Sequence, residues 1–163
     1  MITLRELVDA DAPAVLRIYS GASLTYTRGR PLTEQESAAY VADAAAQART
    51  VPRERWRFGI EAARGDLVGL IGLRERDTGH ATVSYILRED VWGCGYGTEA
   101  VRRLVAYAFA HTPLVRLSAR HHPDNPASGR VLLKAGFVRS PADGGPDGWL
   151  GYGIRRDSRG LTP

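Results

Sequence analysis

The sequence predicts a mixed α/β fold in one domain, and three observations support this prediction. Segments in which apolar residues alternate are interspersed with segments in which they recur every three or four residues. The chain has 163 residues, close to the usual length of a single domain. Its hydrophobic share of 44% and charged share of 25% are ordinary for a globular protein. We therefore expect one domain over residues 1–163.

The first three predicted elements are one strand and two helices, at about residues 2–5, 12–20 and 33–48. Asp9 or Asp11 can cap the first helix, because a short acidic side chain accepts hydrogen bonds from the free N–H groups of the first turn. Thr33 followed by Glu36 has the spacing of a capping box, which marks the start of the second helix.

The next three predicted elements are strands, at about residues 56–62, 67–73 and 81–87. Turns that contain glycine, at residues 64–66 and 77–79, join them. Because both connections are short, we expect the three strands to pair as an antiparallel meander.

The last four predicted elements are a helix, a strand, a helix and a strand, at about residues 98–109, 114–119, 126–134 and 149–154. Asn125 followed by Pro126 is typical of a helix N-cap and first helical position. Residues 28–31 and 140–148, rich in glycine and proline, are expected to be surface loops. The complete order is β-α-α-β-β-β-α-β-α-β.

The charged and metal-ligating residues exclude several classes of function. The 22 basic and 18 acidic residues leave a net charge of +4. The densest basic cluster matches no nucleic-acid motif, so we predict no nucleic-acid partner; it consists of Arg49, Arg53, Arg55 and Arg57.

Cys94 is the only cysteine, which excludes an internal disulfide and a multi-cysteine zinc site. His121 and His122 are adjacent, so they point oppositely on an extended chain and are expected at the surface rather than on a metal.

The apolar residues indicate no membrane segment. No window of about 18 apolar residues occurs, so we expect no membrane span. Residues 1–6 lack the basic, apolar and small-residue pattern of a signal peptide. We therefore expect a cytoplasmic location.

Three glycines at alternate positions, Gly93, Gly95 and Gly97, join the end of a predicted strand to the start of a predicted helix. Glycine allows a tight turn and a close approach of the backbone to a ligand. The free N–H groups and the positive dipole end of the helix favour an anion, so this joint is a candidate phosphate site. A tight turn without a ligand is the structural alternative.

The segment Gly95-Tyr96-Gly97-Thr98-Glu99-Ala100 also matches a dinucleotide fingerprint, so we considered a nicotinamide oxidoreductase. That fingerprint requires an acidic residue about 20 positions later, at the end of the next strand. Residues 116–121 contain no acidic residue, and the segment follows an antiparallel meander rather than opening a parallel sheet. The nicotinamide hypothesis is therefore the weakest of those considered.

Two segments resemble the GNAT superfamily of acetyl-CoA-dependent N-acetyltransferases, particularly the branch of ribosomal-protein N-terminal acetyltransferases. Residues 92–100, Trp-Gly-Cys-Gly-Tyr-Gly-Thr-Glu-Ala, match the pyrophosphate-binding signature of that branch. Residues 125–137 resemble its pattern Asn-x-x-Ser-x-Arg-Val-Leu-x-Lys-x-Gly-Phe. The resemblance implies a GNAT-like fold, in which an antiparallel N-terminal meander precedes a β-α-β-α-β half that binds acetyl-CoA.

The resemblance also implies the residues that contact acetyl-CoA. The backbone amides of the loop would hold the pyrophosphate; they belong to Gly93, Cys94, Gly95, Tyr96, Gly97 and Thr98. The pantetheine arm would pair, as an added strand, with the backbone of Tyr85, Ile86 and Leu87. Asn125 would hydrogen-bond a pantetheine amide or cap its helix, and Ser128 lies one turn further on.

The catalytic residues follow the family pattern less closely. Thr82 stands where relatives often have a glutamate, and Leu132 where others have a tyrosine. Ser128 is a candidate proton donor to the leaving thiolate, with helix capping and cofactor contact as the alternative. His80 is a candidate base acting through water, with simple solvation beside a turn as the alternative.

We therefore predict a GNAT-type N-acetyltransferase that moves acetyl directly from acetyl-CoA to a primary amine of a protein N-terminus or small molecule. Cys94 has no evident base beside it and is not expected to carry acetyl. The alternative is a noncatalytic acyl-CoA-binding module. The expected partners are acetyl-CoA and an amine acceptor, with a second copy of the chain as a further candidate, and no metal.

Overall fold

The computed structural model describes residues 1–157, so residues 158–163 of the predicted domain lie outside the described residues. The described chain forms one seven-stranded sheet with helices on both faces. The strands are β1 (Thr3–Glu6), β2 (Arg55–Glu61), β3 (Leu67–Asp77), β4 (His80–Leu87), β5 (Arg116–His121), β6 (Val138–Arg139) and β7 (Leu150–Arg155). The helices are α1 (Ala12–Ile18), α2 (Glu34–Ala48), α3 (Tyr96–His111) and α4 (Pro126–Lys134).

The sheet has the order β1-β2-β3-β4-β5-β7-β6, and its only parallel neighbours among the described strands are β4 and β5. The predicted meander of β2, β3 and β4 is confirmed, and β1 extends it antiparallel to β2. The mixed α/β class is also confirmed. The two-residue strand β6 was not predicted, because so short a segment carries no apolar pattern.

Each face of the sheet has its own apolar core. On one face α3 and α4 cover a cluster that includes Phe58, Leu73 and Leu117. On the other face α1 and α2 cover a second cluster, which includes Val41 of α2 and Leu70 of β3. Because side chains of a strand alternate between faces, each strand position is assigned to one of these two sides.

The N-termini of the helices confirm one predicted cap and contradict two. In α2 the Thr33 hydroxyl accepts from the Glu36 N–H, and the Glu36 carboxylate accepts from the Thr33 N–H, as a capping box requires. Asp11 precedes α1 but makes no cap bond to it, because its carboxylate accepts from Arg5 and from the Val8 N–H. The other predicted cap, Asn125 of α4, also makes no side-chain cap bond.

Candidate functional site

A gap between β4 and β5 is the central feature of the site. The two strands pair only from His80–Thr82 to Arg116–Ser118. Beyond these residues β4 continues to Leu87 and β5 to His121, and the described structure records no further pairing between them. The edge of β4 that faces β5 is therefore unpaired over its second half and can accept an added strand.

The backbone of β4 turns toward this gap at alternate residues. The Arg88 N–H donates to the Val68 carbonyl on the β3 side, so Leu87 and Tyr85 turn their backbone groups to the β5 side. Ile86 turns its carbonyl toward β3, where it lies beside Gly69, and its side chain is buried in the core. The backbone groups of Ile86 thus face β3 rather than the gap, and its place in the pairing with the pantetheine arm stays a prediction.

The carbonyl of Leu87 is already occupied. It accepts from the Ser23 hydroxyl at 2.6 Å and from the Trp92 ring N–H at 3.1 Å. Of the three predicted β4 contacts, Tyr85 thus has the backbone groups best placed for a ligand in the gap, and Leu87 can offer its N–H.

The glycine-rich loop lies at the end of β4 and leads directly into α3. Gly93 and Gly95 have φ values of +77° and +79°, a left-handed conformation that favours glycine. A Cβ added at either would meet no atom within 4 Å, so the space above the loop is open. The first N–H bonded within α3 is that of Glu99, which donates to the Gly95 carbonyl. The preceding N–H groups of the first turn are free for an anion.

The other loop residues have different roles. Gly97 is buried, and its added Cβ would lie 3.3 Å from Leu87, so this glycine allows the helix to pack closely. Tyr96 and Thr98 are half-buried in the first turn. Cys94 is exposed, and the Trp92 carbonyl, 3.9 Å away, accepts from its thiol.

Two hydroxyl groups meet on the α4 side of the gap. Tyr85 Oη of β4 lies 2.8 Å from Ser128 Oγ of α4. Burial raises the pKa of Tyr85 to about 12, and the hydrogen bond with Ser128 opposes that rise, so the phenol holds its proton at neutral pH. The sequence indicated Ser128 but not the Tyr85 hydroxyl, because the two residues are 43 positions apart and no local pattern links them.

His80 lies at the start of β4 and is held in a polar network. Its Nε2 is 2.7 Å from Ser118 Oγ and 3.0 Å from Arg116 Nη1, and its Nδ1 is 3.4 Å from Asp77. A neutral ring nitrogen has a single lone pair, and two donors already share it here. This arrangement does not support His80 as the base. It also differs from the alternative, a solvated side chain beside a turn, because the ring is hydrogen-bonded to other side chains.

The adjacent histidines differ in exposure. His121 is only 4% exposed, and its Nε2 lies 3.1 Å from Tyr152 Oη beneath α4, so the prediction that it lies at the surface is wrong. It is the inward-pointing member of the pair, at the end of a strand whose alternate residues are buried. His122 points away and stacks on Tyr26 with ring centroids 5.1 Å apart. Within the described residues no cluster of three or more metal-ligating side chains is found.

Residues 21–27, here called the strap, cross from one side of the gap to the other on the face of α1 and α2. At one end Ser23 donates to the Leu87 carbonyl of β4. At the other end the Tyr26 hydroxyl donates to the Asp124 carbonyl, 2.9 Å away, just before α4. The strap thus ties the end of β4 to the loop that carries Asn125.

The opened parallel pair, the free N–H groups of α3 and the hydroxyl pair thus lie together in one mixed α/β fold. A family model described as "Acetyltransferase (GNAT) domain" matches residues 1–138. The chain belongs to the GNAT family of N-acetyltransferases. No helix in the described part of the chain is long and apolar enough to cross a membrane.

Similar proteins agree with this assignment. An uncharacterized N-acetyltransferase of Bacillus subtilis (strain 168), YoaA, is 30% identical over 141 residues, which are 85% of this chain and 80% of that protein. Among solved structures, a protein assigned as a ribosomal-protein-serine acetyltransferase from Vibrio cholerae is 21% identical with a TM-score of 0.75, covering 95% of this chain and 94% of its own. The spermidine N-acetyltransferase of Vibrio cholerae, solved with CoA and spermine, is 19% identical with a TM-score of 0.79, covering 94% and 95%. The ribosomal-protein branch is thus one of several with this fold.

Proposed function

We propose that this protein transfers acetyl from acetyl-CoA directly to a primary amine. The observation that carries the proposal is the gap between β4 and β5, which opens beside the free N–H groups of α3. A chain-like ligand with a pyrophosphate at one end fits both features at once. The CoA seen in the spermidine N-acetyltransferase of Vibrio cholerae, which has this fold, supports the same assignment.

The residues present fit such a donor. The N–H groups of residues 93–98 would hold the pyrophosphate, since the two left-handed glycines leave the approach open. Tyr85 would offer its backbone to the pantetheine amides. Asn125 makes no cap bond, so its side chain is available to a pantetheine amide. When bound, acetyl-CoA supplies an acyl carbon activated as a thioester.

The hydroxyl pair of Ser128 and Tyr85 would supply the proton that a departing thiolate needs. Ser128 Oγ faces the gap from α4, and the Tyr85 phenol, 2.8 Å away, can return a proton to it. The buried phenol stays protonated at neutral pH, so this donor is available over the whole range in which amines are acetylated.

The acceptor would approach from the face of α1 and α2. Thr82 and Ser84 point to this side of β4, and Ser84 is exposed. Neither side chain is a base, so the amine would lose its proton to water, and the rate would rise with pH up to the pKa of the acceptor. Replacing His80 by alanine should leave that profile unchanged. A break in the profile well below the pKa of the acceptor that disappears in His80→Ala would make His80 the base.

The proposal includes direct transfer without an acyl-enzyme. Cys94 is exposed, and the hydrogen bonds of the described residues place no histidine or other base on its thiol. After incubation with acetyl-CoA alone, the intact mass should not increase by the acetyl increment of about 42 Da. A stoichiometric increase that Cys94→Ser removes would contradict direct transfer.

The experiment that tests the proposal combines binding and turnover. Calorimetry should show micromolar binding of CoA and no binding of NAD, and a library of primary amines should release thiol from acetyl-CoA. Binding of CoA without thiol release from any amine would favour the noncatalytic acyl-CoA-binding module. Binding of NAD in place of CoA would overturn the proposal.

Three further properties stay predictions from the sequence: one domain over residues 1–163, a cytoplasmic location, and a second copy of the chain as a partner. The expected absence of a metal and of a nucleic-acid partner also stays a prediction.

A further inference from the structure

Three arginines lie together on the sheet face where the acceptor would bind. Arg55 of β2 pairs directly with Arg74 of β3, and Arg57 lies two residues along on the same face. Arg74 in turn lies opposite Thr82 of β4, and Arg57 is separated from Ser84 only by Gly72. The sheet separates Arg53 from the other arginines of the basic cluster. Its guanidinium lies on the opposite face, over the ring of Trp56.

These three side chains have no acidic partner in the described structure. The neighbouring Arg53 pairs with Glu6, whereas no hydrogen bond or ion pair is recorded among the described residues for the guanidinium groups of Arg55, Arg57 or Arg74. Moreover, Nη1 of Arg57 is buried without a hydrogen-bond partner. A buried donor without a partner is uncommon in proteins, and an anion bound on this face would satisfy the guanidinium of Arg57.

The arginines are also close enough to repel one another. The pKa of Arg55 is lowered by burial and by the charges of Arg57 and Arg74. Tyr40 and Asp43 of α2 act in the opposite direction on the pKa of Arg55, and Asp43 makes no recorded ion pair with it among the described residues. Like charges gathered at a cost to the protein are typical of a binding site for the opposite charge.

Two tyrosines hold the most buried part of this cluster in place. The guanidinium of Arg57 lies over the ring of Tyr40 at 4.5 Å, and Tyr19 contacts the same ring edge-on at 6.1 Å. Burial raises the pKa of both phenols, so neither neutralises an arginine at physiological pH. A planar guanidinium fixed in this way is well placed for a bidentate bond to a carboxylate.

We infer that the acceptor is an anionic amine, whose carboxylate or phosphate binds Arg55, Arg57 and Arg74 while its amine reaches the gap beside Thr82 and Ser84. This inference rests on the proposed function. With adjacent strands about 4.8 Å apart, the backbones of β3 and β2 lie about 5 and 10 Å from that of β4. An acceptor with several bonds between its amine and its anionic group spans this distance. A polyamine such as the spermine bound by the Vibrio cholerae enzyme would instead meet three unpaired positive charges.

The test compares acceptors that differ only in charge. Linear aminoalkanoates of increasing length, their carboxamides, aminoalkyl phosphates and spermidine are assayed by thiol release at one pH near neutrality, where spermidine is positively charged. Each rate is divided by the free-amine fraction of its acceptor. We expect kcat/KM for the best aminoalkanoate or phosphate to exceed that of its neutral counterpart at least about tenfold, and spermidine to be the poorest. Comparison of kcat/KM between the aminoalkanoates and the aminoalkyl phosphates identifies the preferred anion. Equal rates with amides and spermidine would overturn the inference and leave the proposed function intact, whereas no thiol release from any amine would overturn both.

Variants assign the preference to these residues. Arg57→Gln and Arg74→Gln should raise KM for the anionic acceptor about tenfold or more and leave KM for the matched amide unchanged. Arg74 is exposed, so Arg74→Gln gives a result even if Arg57→Gln fails to fold. Arg49→Gln, an exposed arginine at the end of α2, is the control and should retain the preference. An undiminished preference in Arg74→Gln and Arg57→Gln would overturn the inference.

Discussion

At the scale of single residues, two glycines in left-handed conformation keep the space above the loop open. Gly95→Val should raise the Kd of CoA by at least about tenfold, or about 1.4 kcal/mol, because its branched side chain would occupy the approach to the N–H groups. The backbone strain itself should cost about 1–2 kcal/mol of stability. Gly65→Val is the matched control, since Gly65 has a φ of +76° in the turn between β2 and β3, with open space around it. Calorimetry should show the loss of CoA affinity in the first variant and its retention in the second.

The hydroxyl pair makes a second prediction at this scale. Ser128→Ala and Tyr85→Phe should each lower kcat, the first by about 10- to 100-fold. Ser128→Ala removes the hydroxyl that donates a proton to the leaving thiolate. Tyr85→Phe removes the phenol that returns a proton to Ser128. If the two act as a unit, the double variant should be little slower than the slower single variant. Tyr107→Phe, which alters a phenol packed against Phe58, is the control and should leave kcat unchanged. Full activity in both single variants would contradict this role.

Residue roles that depend on long-range contacts could not be predicted from the sequence. Ser128 was indicated by its place one turn after Asn125, but its partner Tyr85 lies on another element. The alternation of Arg55 and Arg57 places them on one face, whereas Arg74 joins them only through the strand register. Asn125 was expected to cap α4 from its position alone, and its free side chain is visible only in three dimensions.

At the scale of elements, the start of α2 should make stability depend on acidity. The hydrogen bond from Arg30 and that from the Thr33 N–H lower the pKa of Glu36 from its ordinary value of 4.5 to about 2. The ionised form is therefore favoured in the folded state, and its contribution is complete above about pH 4.5 and lost as the pH falls toward 2. In Glu36→Gln, the fall of unfolding free energy over this range should be shallower. Glu34→Gln, which removes a charge from the same turn, should retain the steeper fall.

Element positions were predictable where the signal is local. The capping box of Thr33 and Glu36 and the meander are defined by residues close in sequence, and both were found. The length of β3 was underestimated, because its second half, from Arg74 to Asp77, is polar and is held by pairing with β4 rather than by burial. The gap between β4 and β5 was implied only by the family resemblance, since strands so far apart give no local sign of where pairing ends.

At the scale of the whole molecule, a ligand in the gap connects two halves of the sheet that pair over only three residues of β4. CoA at 100 times its Kd should therefore stabilise the folded protein by about 2.7 kcal/mol. For a chain of this size the melting temperature should rise by roughly 5–10 °C. The melting temperature is measured with CoA, with NAD at equal concentration, and without ligand. An equal rise with NAD, or none with CoA, would contradict the proposed site.

The strap connects the proposed donor site with the proposed acceptor site. It leaves α1 on the acceptor side, yet both of its anchors, the Leu87 carbonyl and the Asp124 carbonyl, belong to the segments that border the donor. A ligand on either side that shifts the strap thereby changes the free energy of the other side. By reciprocity, the factor by which a bound donor alters the Kd of the acceptor equals the factor by which the acceptor alters that of the donor.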